Sequence, residues 1–81
     1  MITYETLEET LSKPELGTYT AFAIRAYEEK DGKQITLSHI SDVFLNKAEA
    51  EHFVELCNRL QLDIIHLPDV IEDALAGAFS N

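Results

Sequence analysis

The chain has 81 residues, of which 46% are hydrophobic, and fifteen acidic against six basic residues give it a net charge of −9. A chain of this length supports one hydrophobic core and leaves no volume for a deep, enclosed active site. The basic residues are scattered and outnumbered, so they form no stripe that could displace counterions from a phosphate backbone, and we expect no direct binding of DNA or RNA.

Several absences favour a cytoplasmic protein. The first five residues, Met1 to Glu5, lack the basic and apolar regions of a signal peptide. No apolar run approaches the roughly 20 residues of a membrane span. The single Cys57 cannot form an intramolecular disulfide, which is typical of a reducing compartment. We therefore expect a cytoplasmic location without membrane attachment.

Residues 3–12 form the first predicted element, and two patterns compete there. Leu7, Glu9 and Leu11 alternate with a period of two, whereas Tyr4, Leu7 and Leu11 also fit one face of a helix. Three threonines within this segment favour a strand, because β-branched side chains lose rotamer freedom in a helix. The segment is therefore predicted as a strand, with a helix as the alternative.

A hairpin centred on Asp31-Gly32 is the clearest local signal. This pair supplies the positive φ angles of a two-residue type I′ turn, which predicts strands at 18–29 and 33–41 in a fixed register. That register places Glu28 opposite Ile35, Ala26 opposite Leu37, and Ile24 opposite His39. The predicted core face then carries five apolar residues: Phe22, Ile24, Ala26, Ile35 and Leu37.

The opposite face of the hairpin is the candidate interface. It combines small residues with two tyrosines and an arginine, and its predicted members are Tyr19, Ala21, Ala23, Arg25, Tyr27 and Ile40. Tyrosine and arginine are enriched in the cores of protein interfaces, although a half-solvated antiparallel face also has this composition. An uncovered apolar strip is unusual in a monomer, so we expect a homodimer through this face or through the outer strand edge.

Two helices follow the strands. Asn46 and Glu49 fit a capping box before a helix at 47–61, whose apolar stripe contains Ala50, Phe53, Val54, Cys57 and Leu60. Pro68 suits the first turn of a second helix at 68–76, and Gly77 can end it. The predicted fold is one α+β domain over residues 1–81, in which a three-stranded antiparallel meander is followed by two α-helices packed on one face (β-β-β-α-α).

The segment from Leu60 to Leu75, which contains the stretch His-Leu-Pro-Asp-Val-Ile-Glu-Asp, resembles the C-terminal signature of a family of small uncharacterised proteins of Firmicutes. The resemblance covers residues 19–76 and is strongest over 58–75. It implies the same order of elements and a cytoplasmic, bacterial setting. It implies no activity.

Polar chemistry is densest in the segment His66 to Asp73. His66, Asp69, Glu72 and Asp73 form a candidate polar site, because carboxylates beside an imidazole can bind a divalent cation or transfer protons. The alternative is a solvated first helical turn with His66 as part of its cap. We predict no cofactor and no metal: Glu49 and His52 form only one of the paired motifs that a di-iron site needs, and the histidines lack zinc spacing.

No catalytic pattern is present in the sequence. It contains neither a serine nucleophile elbow nor a glycine-rich phosphate loop, and Cys57 falls on an apolar helix stripe, where a thiol is buried and inert. We therefore expect no enzyme, but a small protein-interaction or regulatory module that uses an exposed sheet face or edge. The alternatives are an acidic decoy that binds a basic protein surface, and a metal- or ligand-binding protein that uses the segment from His66 to Asp73.

Overall fold

A computed structural model describes residues 1–77 and shows three antiparallel strands followed by two helices. The strands are β1 (Thr3–Lys13), β2 (Gly17–Lys30) and β3 (Lys33–Phe44), and the helices are α1 (Lys47–Leu60) and α2 (Leu67–Leu75), preceded by a short 3-10 turn at Ile64–His66. The sheet order is β1-β2-β3. The predicted α+β order is confirmed, and the first segment is a strand.

Both helices pack on one face of the sheet, and the core lies between the layers. Ile24, Leu67 and Cys57 are the largest fully buried side chains, and the rings of Phe44 and Phe53 lie 5.4 Å apart. β2 and α1 each have 14 residues, which gives the strand a length of about 46 Å and the helix only about 21 Å. The ends of the sheet therefore extend beyond the helices.

The hairpin turn is confirmed. Asp31 and Gly32 have φ angles of 53° and 77°, as a type I′ turn requires. Glu28 lies opposite Ile35, as predicted. Ile35 nevertheless stays 45% exposed, because this end of the sheet lies beyond the helices, so its assignment to the core was wrong.

Two register shifts between β2 and β3 change the rest of the predicted pairing. Tyr27 pairs with Thr36 but Ala26 pairs with Ser38, so Leu37 is an extra residue of a bulge and is 40% exposed. The predicted pair of Ala26 with Leu37, and the place of Leu37 in the core, were therefore wrong.

One extra residue moves every following side chain of β3 to the other face. His39 therefore lies opposite Arg25, and Ile40 lies opposite Ile24 and packs against the core. The predicted pair of Ile24 with His39 was wrong for this reason. A second shift inserts two residues before Phe44 pairs with Phe22, and Asp42 adopts a left-handed φ of 57° within it.

A side chain from α1 covers part of the outer edge of β1. The backbone N–H of Tyr4 donates to Oδ1 of Asn58 at 2.7 Å, and Nδ2 of Asn58 donates to the carbonyl of Tyr4 at 2.9 Å. The Tyr4 hydroxyl donates to the carbonyl of Leu62 at 2.6 Å. These three bonds hold the first strand to the end of the helix, more than 50 residues later in the chain.

The helix ends follow local rules. The Asn46 side chain accepts from the N–H of Glu49 at 3.1 Å, which confirms half of the predicted capping box; within residues 1–77 the Glu49 side chain forms no return bond to Asn46. α1 ends one residue earlier than predicted because Gln61 is left-handed, and the N–H of Leu62 returns to the carbonyl of Cys57 at 3.0 Å. Within residues 1–77, neither helix has the length and apolar character needed to cross a membrane.

Candidate functional site

Five of the six predicted interface residues share the sheet face that points away from the helices. Phe22, Ile24 and Ala26 belong to the core, so the alternating residues of β2 point to the opposite, outer face. These are Tyr19, Ala21, Ala23, Arg25 and Tyr27. The sixth, Ile40, was placed wrongly, because the bulge at Leu37 turns it toward the core.

The outer face is not the open apolar strip that the sequence predicts. Ala21 and Ala23 are both 0% exposed, although no helix covers them. Glu9 on β1 lies opposite Ala21, and its Oε2 accepts from Ser41 Oγ at 2.6 Å and from the N–H of Asp42 at 2.8 Å, both on β3. The Glu9 side chain therefore crosses the central strand above Ala21 and links the two edge strands.

Arg25 makes a second link across the outer face. Its Nε donates to Thr36 Oγ1 at 2.9 Å, and one terminal nitrogen contacts both Gln34 and the Glu5 carboxylate. The guanidinium lies 4.6 Å from the centre of the Tyr27 ring. Because Arg25 joins all three strands, the middle of the outer face is occupied by the chain's own polar side chains.

A third polar group, formed by Lys13, Tyr19 and Asp42, lies at the end of this face. Asp42 Oδ2 accepts from the Tyr19 hydroxyl at 2.8 Å and lies 3.2 Å from Lys13 Nζ. The Tyr19 bond and then the Lys13 bond lower the pKa of Asp42, whereas the bond to Asp42 raises the pKa of Lys13. Desolvation and the bond to Asp42 raise the pKa of Tyr19. Lys13 and Asp42 thus neutralise each other at neutral pH.

An apolar groove of about 550 Å³ borders this polar group. We call it the edge groove; it is lined by Lys13, Leu16, Tyr19, Thr20, Asp42, Val43 and Leu45. Leu16 is 66% exposed and Leu45 is 72% exposed. The edge groove lies where β3 has ended, because the last β2–β3 pair is Phe22 with Phe44 while β2 extends back to Gly17.

Sequence reasoning missed the edge groove. Leu16 lies in the turn between β1 and β2, and Leu45 lies in the short connection to α1. Neither position belongs to a periodic pattern. The signal that was available is the presence of a large apolar residue in each of two short connections, where polar residues prevail.

The predicted polar site is not assembled. Within residues 1–77, no three or more His, Cys, Asp and Glu side chains are grouped so that they could hold a metal ion. His66, Asp69, Glu72 and Asp73 are all exposed, and the His66 side chain makes no capping bond to α2. The alternative of a solvated first turn fits the structure better, because the acids are exposed and His66 is the N-cap residue of α2, although its side chain forms no capping hydrogen bond. The nearby side-chain cap is Asp63, which accepts from the N–H of Ile65 at 3.2 Å.

Cys57 is buried, as its position on the helix stripe predicts. Desolvation raises the pKa of this thiol to about 11. The thiolate is the nucleophilic form, so Cys57 is a weak nucleophile at neutral pH.

Comparison with known proteins found no match among family models, curated proteins or solved structures. The resemblance to the Firmicute family stays a prediction.

Proposed function

We propose that this chain is a small, non-enzymatic protein-interaction module that binds a partner polypeptide at the edge groove. The observation that carries the proposal is the pair Leu16 and Leu45, two large apolar side chains that both line the edge groove and are 66% and 72% exposed. Burial of apolar surface contributes about 25 cal/mol per Å², and adjoining exposed apolar side chains mark interaction sites.

The structure favours the sheet edge over the sheet face as the binding surface. Glu9 and Arg25 already occupy the middle of the outer face, and a partner docking there would have to displace their hydrogen bonds. The side chains of Leu16 and Leu45 are apolar, so a partner that contacts them displaces no side-chain hydrogen bond. A partner in the edge groove therefore buries exposed apolar side chains without displacing hydrogen bonds of the outer face.

The test is affinity capture from a bacterial lysate with a matched control. The double variant Leu16→Ser, Leu45→Ser removes both apolar walls, whereas Leu60→Ser changes a leucine that is similarly exposed on α1. We expect the unmodified chain and the Leu60 variant to retain the same proteins and the double variant to lose them. Equal retention by all three chains, or retention of nothing by the unmodified chain, contradicts the proposal.

An acidic decoy is the second candidate, and the charge on the helices favours it. Between residues 47 and 75 there are seven exposed acids against two bases: Glu49, Glu51, Glu55, Asp63, Asp69, Glu72 and Asp73 against Lys47 and Arg59. A partner held by these charges is released as salt shortens the screening length from about 10 Å at 0.1 M to about 3 Å at 1 M. A partner held in the edge groove depends on Leu16 and Leu45 at every salt concentration, so its loss from the double variant Leu16→Ser, Leu45→Ser distinguishes the two candidates.

A further inference from the structure

We infer that the occupant of the edge groove is an extended peptide with basic flanking residues, which adds to β2 as an antiparallel strand in the place that β3 leaves free. This inference rests on the proposed function and names the partner that the groove takes. Strand addition of this kind uses backbone hydrogen bonds for affinity and side-chain pockets for selection.

The hydrogen bonds of Tyr4 determine which backbone groups of β2 are free. Both the N–H and the C=O of Tyr4 bind Asn58, so they point away from β2, and Tyr4 with Ala26 is a non-hydrogen-bonded pair. Such pairs alternate along an antiparallel ladder, and the β1–β2 register has no shift. The backbone groups of Thr18 and Thr20 therefore point away from β1.

On the side away from β1, β3 has already ended. Phe22 is the last residue of β2 that pairs with β3, and Thr18 and Thr20 lie beyond it, both exposed. Within residues 1–77, no side-chain bond and no backbone bond outside the strand ladders reaches either threonine. This short edge thus offers two donors and two acceptors to an incoming strand.

The two remaining sheet edges are less suited to a partner. The outer edge of β1 is covered at Tyr4 by Asn58. Further along β1, the residues whose backbone groups point outward include Glu8, Thr10 and Ser12, which are polar and exposed. Two register shifts interrupt β3. Charged residues and bulges are the features by which edge strands avoid pairing. Among the described residues 1–77, only the edge beside Thr18 and Thr20 combines free backbone groups with the exposed apolar side chains of Leu16 and Leu45.

Charge decides between a foreign peptide and a second copy. Lys13 and Asp42 neutralise each other at the rim of the edge groove, so the field there is dominated by the net charge of −9. A field of this sign attracts basic segments and repels another copy of the same acidic chain. The occupant is therefore a peptide with apolar residues at alternate positions and lysine or arginine at its ends.

The experiment selects binders from a library of random heptapeptides displayed on phage, with the full chain as target. We expect the enriched peptides to carry alternating apolar residues and a net positive charge. Synthetic copies are then titrated by fluorescence anisotropy against the unmodified chain and two variants. Thr18→Pro removes one of the two free donors of β2, and Thr10→Pro removes an outward donor of β1, where proline is tolerated because these N–H groups lie outside the ladder.

Thr18→Pro should weaken binding about tenfold, as expected for one lost hydrogen bond, and Thr10→Pro should leave the affinity unchanged. In the unmodified chain, added peptide should protect the amides of Thr18 and Thr20 from hydrogen exchange, a measurement that does not depend on how the variants fold. The inference is overturned if Thr18→Pro binds the peptide as tightly as the unmodified chain and the unmodified chain shows no exchange protection at Thr18 and Thr20. Enrichment of acidic peptides from the library also overturns it. A dimer in sedimentation that Thr18→Pro dissociates overturns it in favour of a second copy.

The two proposals fail separately. If the lysate capture depends on Leu16 and Leu45 but no exchange protection develops at Thr18 and Thr20, strand addition is wrong and the interaction module stands. If the capture is the same for every variant, the module itself is wrong.

Discussion

Asn58→Ala is expected to destabilise the fold by about 2 kcal/mol. The substitution removes two hydrogen bonds, at 2.7 and 2.9 Å, and leaves the N–H and C=O of the buried Tyr4 without protein partners. Each lost bond leaves a buried backbone group unsatisfied and costs about 1.25 kcal/mol, which gives about 2.5 kcal/mol for the two. Alanine regains about 0.5 kcal/mol through its higher helix propensity. For a domain whose total stability is roughly 4–12 kcal/mol, this loss is large.

Urea titration followed by circular dichroism measures the effect. Glu55→Ala is the matched control, because Glu55 is exposed on the same helix and its replacement should change stability by less than about 0.5 kcal/mol. Asn58→Asp keeps an acceptor for the N–H of Tyr4 but turns a second oxygen toward the Tyr4 carbonyl, so it should cost at least as much as alanine. If Asn58→Ala matches the Glu55 control, the bonding of β1 is wrong, and the orientation derived for Thr18 and Thr20 fails with it.

Four further predictions test other parts of the structure. Gly32→Val should cost more than about 1 kcal/mol in thermal melts, because the site is spatially open but has a φ of 77°, whereas Gly32→Asn should be tolerated. Cys57, with a pKa raised to about 11, should react with a thiol reagent at pH 8 only after urea unfolds the chain; rapid labelling without urea would contradict its burial. The pKa of Asp42 is lowered from 3.8 in the folded chain, so its ion pair stabilises the fold above pH 3.8 and this stability is lost as the pH falls through the lowered pKa. Asp42→Asn should remove that part of the loss of stability in acid. An unchanged dependence of stability on pH would refute the pairing of Asp42 with Lys13 and Tyr19. Ala23→Glu should lower the melting temperature far more than Leu7→Glu, because Ala23 is 0% exposed and its cross-strand neighbour Leu7 is 37% exposed; equal melting temperatures would show that the outer face is open.

Local patterns predicted the elements of this fold because each pattern lies within a few residues. Asp31 and Gly32 determine a turn from their own backbone preferences, and Asn46 caps a helix through a bond to Glu49, three residues away. The buried stripe of α1 follows from its period, since Ala50, Phe53 and Cys57 are all buried. None of these signals depends on a distant part of the chain.

The faces of β3 could not be predicted in the same way. A bulge is favoured when it improves packing against a separate element. The residues beside Leu37 contain no glycine or other local signal that predicts one. Once one residue is inserted, the apolar pattern of β3 is read on the wrong face, so Leu37 was assigned to the core and Ile40 to the surface. The error lies in tertiary packing and not in the turn, which was correct.

The candidate site depended on contacts that a sequence pattern does not contain. Glu9 and Arg25 have the composition of solvent-facing residues, yet they bridge strands and cover alanines of β2. Asn58 lies on the polar side of a helix stripe, and its role appears only when the edge of β1 comes beside it. Tyr19 and Ala21 were placed on the correct face, but the sequence did not predict that polar side chains of the same chain cover that face.

The register shifts that defeated the sequence prediction also create the edge groove. β3 has 12 residues, and without shifts it would pair with β2 from Lys30 back to Tyr19, alongside Thr20. The two shifts use three residues, so β3 ends opposite Phe22 instead and falls short by about 10 Å of strand. The first insertion turns Ile40 into the core, and the second brings Asp42 to Lys13 and Tyr19. Together they leave the end of β2 without a neighbouring strand. The open edge is therefore a direct consequence of how the core is packed, and a chain without these bulges would cover it with its own third strand.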